Sequence, residues 1–110
     1  MTLEIESYKA KALDLPNLVE YSDNSVVSKT LIDTKVGTIT LFSFDVGQGL
    51  SEHAAPYDAF VQIIDGEAEI IIGGNPLHVA TGQMVIMPAN VPHALKATQK
   101  FKMLLTMIRA

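Results

Sequence analysis

The chain has 110 residues, no cysteine, no tryptophan and a formal net charge of −4. This length predicts one domain (residues 1–110), and the lack of cysteine excludes a disulfide framework, a thiolate nucleophile and a zinc ribbon. The 12 acidic and 8 basic residues argue against nucleic acid or an anionic membrane as a partner. No apolar run approaches the roughly 18 residues of a membrane span, and no secretion signal is recognisable, so we expect a cytoplasmic protein.

Turn-forming residues recur at short intervals along the chain, which is typical of an all-β protein. Residues 1–35 are predicted to contain N-terminal strands and a turn, with the turn at residues 15–19 because Pro16 disfavours a longer helix. Later runs rich in Val, Ile, Thr and Phe predict six strands: residues 38–44, 60–64, 67–72, 77–80, 84–87 and 100–108. Asp65-Gly66 predicts a two-residue hairpin turn. Short strands at this spacing indicate a sandwich or barrel.

The last predicted strand is apolar on both of its faces. Residues two apart share a face, so Phe101, Met103, Leu105 and Met107 lie on one side, and Lys102, Leu104, Thr106 and Ile108 lie on the other. A lone barrel needs only one apolar face. The second set could cover another sheet or a partner subunit. We expect a homodimer, with simple exposure of a few apolar side chains as the alternative.

Glycine and histidine recur at regular spacings in the middle of the chain. Five residues separate Gly47 from His53, and six residues separate Ala59 from Gly66. His53, Ala55 and Ala59 have the same parity, so their side chains would point to one face.

A second motif follows in residues 82–97. Gly82 is followed after five residues by Pro88, then by Asn90, His93 and Ala97. Together the two motifs resemble those of the cupin superfamily, and the resemblance extends over residues 38–108. It implies a double-stranded β-helix, also called a jelly roll or cupin barrel, with residues 36–110 as its core. Asn90 stands at a motif glycine and also tolerates a left-handed backbone.

The resemblance also implies a place for a metal. In metal-binding cupins three His and one Glu hold a divalent ion. Here His53 and His93 remain, while the other His and the Glu are Ala55 and Ala59. Asp58 is the nearest candidate for a replacement carboxylate, although its parity places it on the opposite face. Iron, manganese, nickel or zinc is therefore a candidate cofactor bound by His53 and His93, with or without Asp58.

The two alanines leave space, and the remaining inward positions are apolar. Methionines at positions 84, 87, 103 and 107 are candidate walls for an adaptable pocket, because methionine fills irregular gaps. The predicted ligand pocket comprises His53, Ala55, Ala59, Val61, Met84, His93 and Met103.

These residues support three hypotheses. In the first, the barrel cavity binds a small organic molecule without chemistry. In the second, the chain is an enzyme, either a metal-dependent oxygenase or isomerase using His53 and His93, or a metal-free one with a histidine as general base. In the third, the histidines are structural, with His53 bonding to backbone and His93 satisfying carbonyls of its loop.

Overall fold

The computed structural model describes the backbone of residues 2–109 and the side chains of residues 5–109. Two short helical segments, α1 (Thr2–Ser7) and a 3-10 helix (Leu15–Leu18), precede the strands. The strands of the described range are β1 (Val26–Thr34), β2 (Gly37–Phe44), β3 (Gly49–His53), β4 (Ala59–Ile72), β5 (Asn75–Ala80), β6 (Met84–Met87), β7 (His93–Lys96) and β8 (Phe101–Ile108). No helix among residues 2–109 is long and apolar enough to cross a membrane.

Two antiparallel sheets share strand β4. The first half of β4 pairs with β6 and β8, and β8 continues through β2 to β1. The second half of β4 pairs with β5 and β7, and β7 continues to β3. The sheets curl around a common core, so the predicted all-β double-stranded β-helix is confirmed.

The hairpin predicted at Asp65-Gly66 is wrong. These residues lie inside β4, where the register with β8 shifts between Ile63 and Asp65 as the strand passes from one sheet to the other. Gly66 has a φ of +76°, and a Cβ there would collide with the carbonyl of Lys100. Only glycine accommodates both this backbone conformation and the close approach of the neighbouring strand. A tight hairpin turn favours glycine for the same reason, which explains the wrong prediction.

The remaining predicted strands lie within β2, β5, β6 and β8, apart from Lys100, which precedes β8. Strands β1, β3 and β7 were not predicted individually. Residues 1–35 contain β1, but they also contain two helical segments that the strand-and-turn prediction did not include; Met1 lies outside the described residues. Strand β3 has an almost wholly exposed and polar run of side chains, and β7 has only four residues, so neither shows a strong alternation.

The main core lies between the sheets. The inward residues Phe44, Val61, Ile63, Phe101 and Met103 are at most 1% exposed, and Phe44 stacks on Phe101 with ring centroids 4.4 Å apart. These residues belong to one buried hydrophobic cluster between the two sheets.

A second, smaller buried region lies on the outer face of the first sheet. There Val19 and Leu41 are at most 1% exposed, and the Ser43 hydroxyl donates to the Glu20 carbonyl at 2.8 Å. The N-terminal segment therefore covers one part of this outer face.

Candidate functional site

His53 and His93 face each other across neighbouring strands. They are direct register partners of β3 and β7, and their ring centroids are 4.4 Å apart with the planes at 69°. His93 is only 4% exposed, whereas His53 is exposed. The pair therefore extends from the barrel interior to its rim.

Both imidazoles use the same nitrogen to bind backbone. The His53 Nδ1–H donates to the Ser51 carbonyl at 2.8 Å, and the His93 Nδ1–H donates to the Val91 carbonyl at 3.2 Å. A carbonyl only accepts, so the proton lies on Nδ1, and Nε2 of each neutral ring keeps its lone pair. Burial is the main cause that lowers the pKa of His93, and the nearby His53 adds to the effect. The neutral form of His93 is thereby favoured.

Two loops hold the histidines in place. The Asn90 N–H donates to the Ala55 carbonyl at 2.7 Å, and the Ala89 N–H donates to the Asp58 carboxylate at 2.8 Å. Asn90 has a φ of +65°, which confirms that asparagine adopts the left-handed backbone at this position. The loop that follows His53 is therefore tied to the loop that precedes His93.

A cavity of about 100 Å³ opens between the two histidines and the inner faces of both sheets. Five predicted pocket residues line it: His53, Ala55, Ala59, His93 and Met103. The lining is completed by Leu50, Met87, Leu95, Leu105 and Met107. The cavity is therefore apolar except for its two imidazoles.

Two predicted pocket residues lie elsewhere. Val61 is fully buried in the core and does not line the cavity. Met84 is 44% exposed on the outside of the barrel. The reason is parity: Met87 points inward, and positions 84 and 87 differ by an odd number along β6, so they lie on opposite faces.

Five lining residues were not part of the predicted pocket, and the sequence could have identified only some of them. Leu105 and Met107 share the inward parity of Met103, and Met87 was among the candidate walls, so the sequence contained a signal for these three. Leu50 and Leu95 lie on β3 and β7, the strands that lacked a clear pattern. No sequence signal marked them.

The donor set does not fit the divalent metal that the family resemblance implies. Among residues 5–109, no three His, Asp, Glu or Cys side chains come together as a metal-binding group. Asp58 is not brought to the histidines: its carboxylate accepts from Ala89 and lies along an outer groove of about 480 Å³. Two neutral imidazoles without a carboxylate leave a dication uncompensated in an apolar cavity.

The cavity also lacks a cationic group among its described residues. Arg109, the sole arginine of the sequence, donates instead to the Thr34 carbonyl at 3.3 Å. His78 is exposed and lies away from the cavity, where its Nε2 is 3.2 Å from the Glu67 carboxylate. Chemically, the site offers two Nε2 lone pairs in an apolar space.

The comparisons agree with this architecture. Residues 40–109 match the family model of the cupin domain, so the chain belongs to the cupin superfamily. It is 42% identical to the conserved SPY1581 protein of unknown function from Streptococcus pyogenes, with 92% of this chain and 89% of that chain covered and a TM-score of 0.88.

Two further solved structures are similar. A Cupin 2 conserved barrel domain protein from Leptotrichia buccalis is 40% identical over 87% of this chain and 47% of that chain, with a TM-score of 0.85. A cupin superfamily protein from Desulfitobacterium hafniense is 29% identical over 93% and 94% of the two chains, with a TM-score of 0.87. No curated protein matches the sequence significantly.

Proposed function

We propose that this cupin is a binding protein whose barrel cavity takes one small, uncharged and largely apolar molecule that carries a hydrogen-bond donor. The observation that carries the proposal is the lining: eight apolar side chains and two imidazoles whose Nδ1 atoms are already committed to backbone. Small-molecule sites typically combine an apolar wall with a few placed polar groups. The Nε2 atoms supply the acceptors.

The cavity volume limits the ligand. An apolar cavity of about 150 Å³ accommodates benzene, and this one measures about 100 Å³. A ligand about the size of one ring would fill it and extend toward exposed His53. The three methionines of the wall provide some adaptability.

The enzyme hypothesis receives less support. Among residues 5–109, no third His, Cys, Asp or Glu joins the two histidines to complete a divalent metal centre. A metal-free reaction would need a group that stabilises developing charge, and the cavity lining contributes no cation or hydroxyl. Binding without chemistry requires neither.

The experiment uses protein labelled with ¹³C at the methionine methyl groups and titrated with phenol. We expect saturable chemical-shift changes at Met87, Met103 and Met107, with Met84 as the internal control on the outer surface. Toluene, which lacks the donor, should bind roughly 2- to 10-fold more weakly, the usual net value of a hydrogen bond.

A pair of variants controls for position. Ala55→Leu fills the cavity from a loop and should abolish the shifts, whereas Ala54→Leu lies outside the lining and should leave them unchanged. Circular dichroism verifies that both variants fold. Absence of saturable shifts in the wild-type protein, or equal phenol binding by the two variants, would refute the proposal.

A further inference from the structure

The outer surface of the barrel carries a second recess, separate from the cavity between the sheets. This groove has a volume of about 480 Å³ and runs along the outer face of the first sheet. The register partners Thr106, Phe60 and Ile86, on β8, β4 and β6, form its floor. Small-molecule sites typically have volumes of about 300–1,000 Å³, so the groove is large enough for an organic ligand.

The lining of the groove is apolar apart from three side chains. Its apolar members are Pro56, Phe60, Ile86, Ala89 and Ile108. Its polar members are Tyr57, Asp58 and Thr106. Ile86 is 52% exposed and Ile108 is 64% exposed, so a ligand that covered them would remove apolar surface from water. None of the described residues that line the groove is cationic, so Asp58 gives the groove a negative charge.

One oxygen of the Asp58 carboxylate is already bound within the protein. Oδ1 accepts from the Ala89 N–H at 2.8 Å, and the Asn90 N–H donates to the Ala55 carbonyl at 2.7 Å, so the two loops beside the groove are joined. Among residues 5–109, no group other than the Ala89 N–H donates to this carboxylate. Oδ2 is therefore available to a donor on a ligand, and the carboxylate is held ready for it.

The charge of the groove favours a cationic ligand. Arg109 directly follows Ile108, but its guanidinium donates to the Thr34 carbonyl at the end of β1, at 3.3 Å. The formal net charge of −4 adds a long-range attraction for cations. The rings of Tyr57 and Phe60 lie in the lining, and aromatic faces also attract ammonium groups. The lining thus matches a cation that has an apolar body.

We propose that the groove is a second ligand site, which binds an organic monoamine. The ammonium group donates to Oδ2 of Asp58, and the apolar body lies along Phe60 and Ile86. This site goes beyond the proposed cavity function and does not depend on it. Isoleucines report on the groove and methionines report on the cavity, so either proposal can fail alone.

The test is a titration with phenethylamine of protein labelled with ¹³C at the isoleucine methyl groups. We expect saturable chemical-shift changes at Ile86 and Ile108, which line the groove, and none at Ile70, which is fully buried in the core. Phenethyl alcohol keeps the aromatic ring but lacks the charge. It should bind about 2- to 5-fold more weakly, the usual contribution of an exposed ion pair.

A pair of variants tests the carboxylate. Asp58→Asn removes the charge and keeps an oxygen that can accept from the Ala89 N–H, so this variant should bind the amine and the alcohol equally. Asp33→Asn, at an exposed position on β1 outside the lining, makes the same change in net charge and should keep the wild-type preference. Each preference is a ratio of two affinities for one protein, so a change in stability alone does not alter it.

The expected homodimer would use the same outer face, because Thr106 and Ile108 belong to the second apolar set of β8. Each titration is therefore repeated in Ile32→Asp, at the opposite edge of this face and outside the groove. A charge at position 32 opposes contact between two copies and leaves the groove accessible. Absence of saturable shifts at Ile86 and Ile108 in both proteins, or an unchanged preference for the amine in Asp58→Asn, would overturn the proposal.

Discussion

The Tyr21 hydroxyl donates to the Asp65 carboxylate at 2.5 Å, a contact that joins residues 44 positions apart in the chain. The ammonium groups of Lys102 and Lys100 lie 4.9 Å and 5.4 Å from the centroid of the same ring. Lys102 also donates to the Pro16 carbonyl at 2.6 Å. These contacts hold the N-terminal segment against the bulge at which β4 passes between the sheets.

Tyr21→Phe should lower the free energy of unfolding at neutral pH by about 0.5–1.5 kcal/mol, the usual net value of one hydrogen bond. Urea denaturation monitored by circular dichroism measures the change. Tyr57→Phe, at a tyrosine that has no such contact with Asp65, is the control.

The same tyrosine predicts an alkaline effect. Burial, followed by the hydrogen bond to Asp65, raises the pKa of Tyr21 far above its ordinary value of 10.0. Above pH 10 the unfolded chain loses this proton while the folded chain retains it, so stability should decrease as the pH increases further. Tyr21→Phe should remove part of that decrease. Identical alkaline profiles in the two proteins would contradict the role of this contact.

Gly66→Ala should destabilise the protein more than Gly74→Ala. Both glycines have positive φ values, +76° and +82°, so both variants incur about 1–2 kcal/mol of backbone strain. Only at Gly66 does the added Cβ collide with the Lys100 carbonyl, whereas nothing lies within 4 Å at Gly74. Overpacking adds about 1–3 kcal/mol. Urea denaturation of both variants measures the difference, and equal losses would show that the bulge can relax.

The stability of the metal-free protein should decrease as the pH decreases from 7 to 5. Burial lowers the pKa of His93 in the folded state, so below about pH 6.5 the unfolded chain takes up a proton that the folded chain still refuses. The effect is absent above that pH and is complete below the folded-state pKa. Unfolding free energies measured across this range should vary less in His93→Gln. His78→Gln, at an exposed histidine, is the control. Its unfolding free energy should retain the pH dependence that His93 contributes in the wild-type protein.

Restoring the family's ligand set should create a divalent metal site. The double variant A55H/A59E places a third imidazole and a carboxylate beside His53 and His93, the four-ligand set that the resemblance describes. The introduced carboxylate lies where Ala59 is only 2% exposed, so the metal-free variant should be less stable than wild type. Manganese or zinc at about 100 times its dissociation constant should return roughly 2.7 kcal/mol.

Elemental analysis and thermal unfolding with and without metal measure this gain. The single variants A55H and A59E are the controls and should bind more weakly than the double variant. Equal divalent binding by wild-type protein would show that the two histidines suffice, contrary to the charge argument for this cavity.

The fold could be predicted from the sequence because the spacings of glycine, proline and histidine in the two motifs reflect the lengths of the strands and turns between them. The distances from Gly47 to His53 and from Pro88 to His93 place both histidines at strand ends, and register then brings them together. The Asp65-Gly66 prediction failed because a bulge inside a long strand and a hairpin turn require the same glycine. Tertiary pairing with β8 decides between them, and a local pattern does not contain that information.

The site was predictable only in part for a related reason. Alternation along β8 identified the residues that share a face with Met103. Which face of another strand points inward depends on how that strand pairs with its neighbours, and the sequence alone does not give this pairing. Met84 was assigned to the pocket without a reference residue on β6, and buried Met87 provides that reference. The role of Asp58 in holding the loop at Ala89 depends on a contact 31 residues away, which the sequence does not reveal.

The outer face of the first sheet carries an uncharged row, four of whose five members are apolar, that crosses all five of its strands. Register pairs connect its members in the order Ile32, Ile39, Thr106, Phe60 and Ile86. Ile86 is 52% exposed and Ile32 is 47% exposed, so both ends of the row are open. Contiguous exposed apolar side chains are a feature of interaction surfaces.

A second copy of the chain is the predicted occupant of this row. The row contains no charged side chain, so two identical faces can meet without like-charge repulsion, and burial of the row would stabilise the pair. Light scattering at micromolar concentration should give twice the chain mass of 11.9 kDa. Ile86→Asp should yield the monomer by burying a charge at the interface, whereas Val46→Asp, at a site 53% exposed but off the row, should remain dimeric. The dimer would be contradicted if the wild-type protein had the mass of one chain at every concentration. Co-purification of that monomer with a different protein would also contradict it.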